Sequence, residues 1–264
     1  MIDTKNYHYF VQEFKKITHI DLLKYKDDQM MRRLNNFIRT NDYKDYLGLA
    51  QSMRTDKQLV KELEEYITIN VTEFMRNEKP WKDFYQKIVP ELVQSKRKLK
   101  IWSAACSSGE EPYTVAMLMK EHFPGIEVEI IATDIDISIL EKAKKGIYRK
   151  ADLKTLDKRL LTKYFDEVDD KTVKVKEEIK KKVKFERHNL LESPYPKFLD
   201  IVICRNVLIY FKDDVKTSIY GKFSQSLNEG GVLFIGSTEQ IFNPKQFNFH
   251  SKVSFFYHRK KEGN

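Results

Sequence analysis

The chain is poor in several of the features that define common protein classes. No uninterrupted apolar run approaches the ~20 residues that a membrane-spanning helix needs, and the mean hydropathy is −0.58. Two cysteines in 264 residues cannot form a disulfide framework. The first residues also hold no apolar stretch of the secretory type, so reducing cytoplasm is the expected location and no membrane insertion is expected. Glycine and proline are sparse at nine and seven, which excludes collagen-like and low-complexity chains. Metal-ligand spacing is absent as well: His8, His19, His122, His188, His250 and His258 do not cluster, and Cys106 and Cys204 are isolated, so no metal site is expected.

Charge, by contrast, is abundant. Lysine and arginine number 48 against 39 aspartates and glutamates, a net +9, which raises the question of an acidic partner. The excess is uneven: residues 99–141 carry a net −6, and residues 142–187 a net +8. A basic docking surface beside an acidic small-molecule site would give this pattern, and so would ordinary solvated lysine faces.

Periodicity divides the chain in two. Tyr7, Phe10, Val11, Phe14 and Ile17 recur at helical spacing, as do Met30, Leu34, Phe37 and Ile38, then Tyr43, Tyr46, Leu47 and Ala50, then Leu59, Leu63, Tyr66 and Ile67. They predict about four short amphipathic helices. A further helix is expected through Trp81, Phe84, Tyr85, Ile88 and Leu92. From residue 99 short apolar runs alternate with helical patterns: a strand at 99–105, a helix at 110–123, a strand at 128–133 and a helix at 138–145. Later come a strand at 198–204, a helix at 213–227, a turn at Gly230-Gly231, and strands at 232–236 and 253–258. This order predicts an α/β fold with a mostly parallel sheet of six or seven strands. The stretches 172–176 and 183–187 read together as a small antiparallel β insertion at about 163–184.

The residues with chemical potential lie where these strands end. The first strand runs into the small-residue loop Cys106-Ser107-Ser108-Gly109, and Glu110 and Glu111 open the next helix. Asp134 closes the second strand, 25 residues after Gly109, where an acidic side chain can hold ribose hydroxyls. The G-x-G-x-x-G of dinucleotide sites is missing, and two carboxylates at the helix start would repel a pyrophosphate. A cationic, phosphate-free nucleoside such as S-adenosylmethionine suits the pattern. A capping acid at Asp134 and dipole-stabilising acids at Glu110 and Glu111 would also produce it.

Five segments in order carry a resemblance: Asn70-Val71-Thr72-Glu73-Phe74-Met75-Arg76, Trp102 to Thr114, Ala132-Thr133-Asp134-Ile135-Asp136, Phe185 to Leu190, and Cys204-Arg205-Asn206-Val207-Leu208-Ile209-Tyr210-Phe211. Through them the chain resembles the chemotaxis receptor methyltransferases (CheR), with Met75 where that family more often has Phe. The resemblance implies a class I S-adenosylmethionine methyltransferase fold, doubly wound, with an N-terminal helical receptor-docking domain (1–75), a helix and linker (76–98) and a cofactor-binding domain (99–264) interrupted by the β insertion. It implies transfer of methyl groups to glutamates on the methylation helices of chemoreceptors, leaving S-adenosylhomocysteine. Residue by residue it assigns Asn70, Thr72, Arg76, Glu111, Asp134, Asn189, Leu190, Arg205 and Asn206 to the cofactor, with Arg76 and Tyr210 at the reacting carboxylate. A receptor C-terminal peptide at the β insertion is a further implied partner. Arg32, Arg33 and Arg39 on the second helix are expected to steer the receptor. A monomer is expected, and a nucleic-acid substrate is not, because Cys204-Arg205-Asn206-Val207 stands where base-amine enzymes often carry Pro-Pro-Tyr.

Overall fold

The computed structural model describes residues 5–260. The chain divides into two units, one of residues up to Asn70 with Tyr210–Lys216, the other of Val71–Ile209 and the residues from Thr217 onward.

The first unit contains α1 (Tyr7–Thr18), α2 (Asp27–Thr40), α3 (Tyr46–Met53) and α4 (Lys57–Ile67). Short acids start the later two: Asp45 accepts from Gly48 N, and Asp56 accepts from Gln58 N and Leu59 N, satisfying helix-end donors that would otherwise be orphaned. Phe10, Phe14, Leu34, Ile38, Tyr46, Leu49 and Leu63 are fully buried between the helices. The Tyr210–Lys216 segment joins this unit through its backbone. Lys26 N donates to Tyr210 O at 2.9 Å and Lys212 N to Lys24 O at 3.0 Å, while the Tyr25 and Phe211 rings lie 4.6 Å apart.

The second unit opens with α5 (Glu78–Asp83), a π turn (Phe84–Ile88) and α6 (Val89–Val93). This is the helix expected through Trp81 and Leu92. The i→i−4 ladder slips where Pro90 has no N–H to donate. Strands β1 (Lys98–Ala104), β2 (Glu127–Asp134), β3 (Ile147–Arg149), β4 (Phe165–Glu167), β5 (Thr172–Val175), β6 (Val183–Arg187), β7 (Leu199–Cys204), β8 (Leu227–Ile235), β9 (Phe249–Val253) and β10 (Phe256–Arg259) follow. Between them lie α7 (Glu110–His122), α8 (Ile137–Lys145), α9 (Lys158–Tyr164), α10 (Glu177–Lys180) and α11 (Asp213–Ser226).

Seven strands form one sheet in the order β6-β2-β1-β7-β8-β10-β9. The pairs from β6 to β8 are parallel, and only β10 runs against its neighbours. β7 is buried at all six positions, as expected of a parallel strand covered on both faces. The chain departs from β1 towards β2 on one side and towards β7 on the other. The crevice at their carboxyl ends is therefore the point where such sheets bind ligands.

The β insertion differs from expectation. Val183–Arg187 is not part of it but pairs parallel with β2 at the edge of the main sheet, Ala132 opposite Phe185 and Asp134 opposite Arg187. The small antiparallel sheet is β3-β5-β4 instead, so it starts at Ile147 rather than near 163. Two of its strands have three residues each, too few to display an alternation. Gly230-Gly231 likewise is not a turn before a strand: β8 runs through it, with a register shift opposite Leu199–Ile201.

Candidate active site

The loop after β1 reverses sharply, with Ala105 at φ 61°, Ser107 at φ 50° and Gly109 at φ 94°. Non-glycine residues in this region are strained and are held only where the surroundings dictate it. Here Cys106 N donates to Thr133 O at 2.8 Å, Ser107 N to Asp134 Oδ2 at 2.8 Å and the Tyr148 hydroxyl to Ser108 O at 2.7 Å. At Gly109 a Cβ would sit 3.0 Å from Ala143 Cβ and 3.2 Å from the Tyr148 hydroxyl. Glycine is what lets α7 begin this close to α8.

Asp134 is 7% exposed, and its Oδ1 accepts from Asp136 N at 3.1 Å. Burial pushes its carboxyl from the usual range up to about 6, against the pull of the Asp136, Ser107 and Ile135 N–H groups. Each carboxylate oxygen has two acceptor sites, so the oxygens bonded to Ser107 N and Asp136 N retain capacity for hydroxyl donors. Glu110 and Glu111, also buried, are both pushed up by burial. Glu110 accepts from Ser108 Oγ at 2.6 Å. Glu111 accepts from Ser103 Oγ at 2.8 Å and faces Arg205 Nη1 at 3.5 Å.

Arg205 is the buried cation of the site. Its guanidinium lies 5.0 Å from the Trp81 ring centre and 4.8 Å from that of Phe234. It donates to Arg76 O at 2.8 Å, an oxygen that also accepts from Trp81 Nε1 at 3.1 Å. Arg205 thus pins the turn that carries Arg76, whose neighbours Met75 and Asn77 both have positive φ. Arg76 in turn donates from Nη1 to Val71 O at 2.9 Å. Asp134, Glu110, Glu111 and Glu239 are buried around this one buried guanidinium, so carboxylates outnumber it, and Glu110 and Glu111 occupy the start of α7 that a phosphate would need.

Other expected site residues line the neighbouring strand ends. His188 N donates to Asp134 O at 2.9 Å and so fastens the turn after β6. In that turn Asn189 Oδ1 accepts from Leu191 N at 2.9 Å, and Leu190 is buried with its carbonyl accepting from the Tyr195 hydroxyl. After β7, Asn206 adopts φ 59°, and its Oδ1 is buried with no hydrogen-bond partner. A ligand donor can satisfy that acceptor. A sugar with two hydroxyls, a positive charge and a donor for Asn206 describe a group that these residues fit. S-adenosylmethionine has all three and no phosphate.

The remaining expected residues lie in other segments. Thr72 is half-buried in a segment without regular structure, and neither it nor Asn70 caps a helix, since α5 begins only at Glu78. Asn70 and Tyr210 belong to the helical unit, where Asn70 Nδ2 donates to Thr68 Oγ1 at 3.2 Å. On α2, Arg32 and Arg39 are exposed. Arg33 is not on that face: its guanidinium donates to the Tyr66 carbonyl and lies 5.0 Å from the Tyr66 ring centre, tying α2 to α4. Sequence reasoning passed over Glu239, a buried carboxylate beyond β8 that accepts the backbone N–H groups of Asn206, Leu208 and Gly236. Among the described residues no group of three or more His, Cys, Asp or Glu could hold a metal.

Comparison with known proteins gives a consistent result. Residues 70–256 match the family described as CheR methyltransferase, SAM binding domain, and residues 5–68 match CheR methyltransferase, all-alpha domain. A chemotaxis protein methyltransferase of Listeria innocua is 39% identical over 254 residues, covering 96% of this chain and 97% of that protein. One of Borreliella burgdorferi is 36% identical over 231 residues, covering 82% and 81%. Chemotaxis protein methyltransferase 1 of Pseudomonas aeruginosa is 36% identical over 223 residues, covering 80% and 81%.

Proposed function

Since the chain belongs to the CheR methyltransferase family and is an S-adenosylmethionine-dependent methyltransferase of chemotaxis, we propose that its acceptors are glutamate side chains on the cytoplasmic helices of chemoreceptors, converted to methyl esters. What supports the acceptor is the family match to chemotaxis methyltransferases along nearly the whole chain, and what supports the cofactor is the anion-lined crevice of Asp134, Glu110 and Glu111, which favours a cationic group and disfavours a phosphorylated one. Bound S-adenosylmethionine supplies a methyl group on a positive sulfonium and departs as S-adenosylhomocysteine.

In this reading Asp134 accepts the two ribose hydroxyls and the Asn189-Leu190 turn flanks the adenine. Asn206, with the Glu111 and Arg205 pair behind it, faces the methionyl end. Asn70 and Thr72 complete the cofactor contacts. The acceptor glutamate, with a reference pKa of ~4.3, is already ionised at neutral pH, so no general base is needed. An anion and a cation become two neutral groups, and excluding water favours that loss of charge. The work left to the protein is alignment, which we assign to Arg76 and Tyr210. Arg32 and Arg39 steer the acidic receptor helix, and the β insertion takes a receptor C-terminal peptide. No helix among the described residues is long and apolar enough to cross a membrane.

Incubation with methyl-tritiated S-adenosylmethionine and a soluble receptor cytoplasmic fragment tests the acceptor. Label released as volatile methanol in mild base, and absent when the fragment's methylation-region glutamates are replaced by alanine, supports the ester. Base-stable label would refute a carboxylate acceptor.

A further inference from the structure

We propose that Glu239 is a positioning residue for the cofactor pocket, a carboxylate that sets the backbone after β7 so that Asn206 presents its side-chain oxygen to the ligand. The inference rests on the cofactor assignment above and not on the identity of the methyl acceptor.

Glu239 follows β8 by four residues and is 7% exposed. Its Oε2 accepts from Asn206 N at 2.9 Å and Gly236 N at 2.7 Å, and its Oε1 from Leu208 N at 2.9 Å. One side chain thus takes three main-chain donors from two loops. Asn206 N and Leu208 N lie beyond the end of β7, outside the parallel ladder, and would otherwise be donors left over at a strand end. Such donors must find a partner when buried. An ionised acceptor binds them more strongly than a neutral one.

The arrangement also explains why Asn206 is held at φ 59°, where a non-glycine residue stays only if its surroundings over-determine it. The fit is close. A Cβ at Gly236 would come within 2.7 Å of Glu239 Oε2, 2.8 Å of Asn206 N and 3.0 Å of Asn206 Nδ2. With its Nδ2 against the end of β8, the Asn206 amide is left with Oδ1 as its buried acceptor without a partner. That is the group a cofactor ammonium or amine can satisfy. Glu239 touches none of the reacting atoms in this account; it acts through Asn206.

The test is S-adenosylhomocysteine affinity by titration calorimetry, with no receptor present. E239Q keeps the shape but turns an amide towards a main-chain donor, and should weaken binding by about tenfold. Hydrogen exchange at the Asn206, Leu208 and Gly236 amides should rise in the ligand-free protein. L160A, which truncates a buried residue of α9, serves as a destabilised control, and its affinity should stay within about twofold of wild type. The double variant N206A/E239Q should bind no worse than N206A, because the two losses are one loss. E239D, which keeps the charge but draws it back by one methylene from the three N–H groups, gives a second route to the same weakening should E239Q fold poorly. Wild-type affinity in both E239Q and E239D, or losses that add in the double variant, overturns the role of Glu239 while leaving the cofactor assignment intact. A wild-type protein that does not bind S-adenosylhomocysteine overturns both.

Discussion

Replacing Asp134 with asparagine separates the charge of that side chain from its shape. In the wild type the carboxylate receives Ser107 N at 2.8 Å and Asp136 N at 3.1 Å and, in the proposed complex, two ribose hydroxyls. Charge-assisted hydrogen bonds contribute ~1.5–3 kcal/mol against ~1 kcal/mol for neutral ones. Asparagine loses the charge on both hydroxyl contacts and must point its NH2 at one of two main-chain donors. The expected weakening is about 2–3 kcal/mol, or roughly 30- to 150-fold in affinity for S-adenosylhomocysteine. A pH series sharpens the test. Burial raises the carboxyl from 3.8 to about 6, so at pH 5 only about a tenth of the ligand-free sites are ionised. Affinity that needs the carboxylate should be full above pH 7 and fall about tenfold by pH 5, whereas the asparagine variant should fall less, keeping only what Glu110 and Glu111, also pushed up by burial, contribute. The ligand-free protein responds in the opposite sense. Because the folded-state pKa lies above the unfolded one, the folded form binds this proton more tightly, and this group adds stability as the pH falls from about 6 towards 4. Calorimetric titrations of both proteins from pH 5 to 8 decide the matter. Near-equal affinities at pH 7.5, or a wild-type affinity flat across the range, would refute the ribose role.

Tyr210→Phe should reduce single-turnover methylation of a receptor fragment by about tenfold or more while S-adenosylhomocysteine affinity stays within about twofold, since the hydroxyl is assigned to the acceptor; equal single-turnover rates would remove it from that role. The double variant R32E/R39E should raise the apparent KM for receptor and flatten its salt dependence at unchanged cofactor affinity, and identical kinetics at every ionic strength would place docking elsewhere. R33A should behave differently, lowering the melting temperature through a loss of ~1–2 kcal/mol at its Tyr66 contacts without changing the salt dependence of KM.

How far the fold could be read from the chain depended on length and periodicity. The four N-terminal helices and the buried strands β1, β2 and β7 show strong patterns because each must cover or fill a core. The edge strand β6 did not. Its apolar Val183 and Phe185 alternate with Lys184, Glu186 and Arg187, and alternation of this kind marks a strand with one wet face without saying whether it lies in an antiparallel insertion or at the rim of a parallel sheet. Only the pairing with β2 resolves this. β3 and β4 are held by partners rather than by pattern: three residues cannot show a period, so Tyr148 and Phe165 carry no strand signal of their own.

The site divides along a similar line. Residues proposed to meet the cofactor through side chains at strand ends, such as Asp134 and Asn206, sit where topology concentrates function, so strand order alone points to them. Residues that act through another residue's backbone leave no such mark. Arg33 is indistinguishable in sequence from Arg32 and Arg39, yet one turns inward to the Tyr66 carbonyl while the others face solvent. Glu239 reads as a polar residue in the loop after β8, and its importance lies in three N–H groups that come together only when β7 and β8 lie side by side. The same holds for Arg205. The resemblance assigns it to the cofactor, and in the structure its guanidinium also holds Glu111, the Arg76 carbonyl and two aromatic faces, with Nε left buried and unpartnered. A motif residue can therefore also serve the site through the turn it holds, and R205K tests that. Lysine keeps the charge but cannot bridge Glu111 and the Arg76 carbonyl in one plane, so it should loosen the turn carrying Arg76.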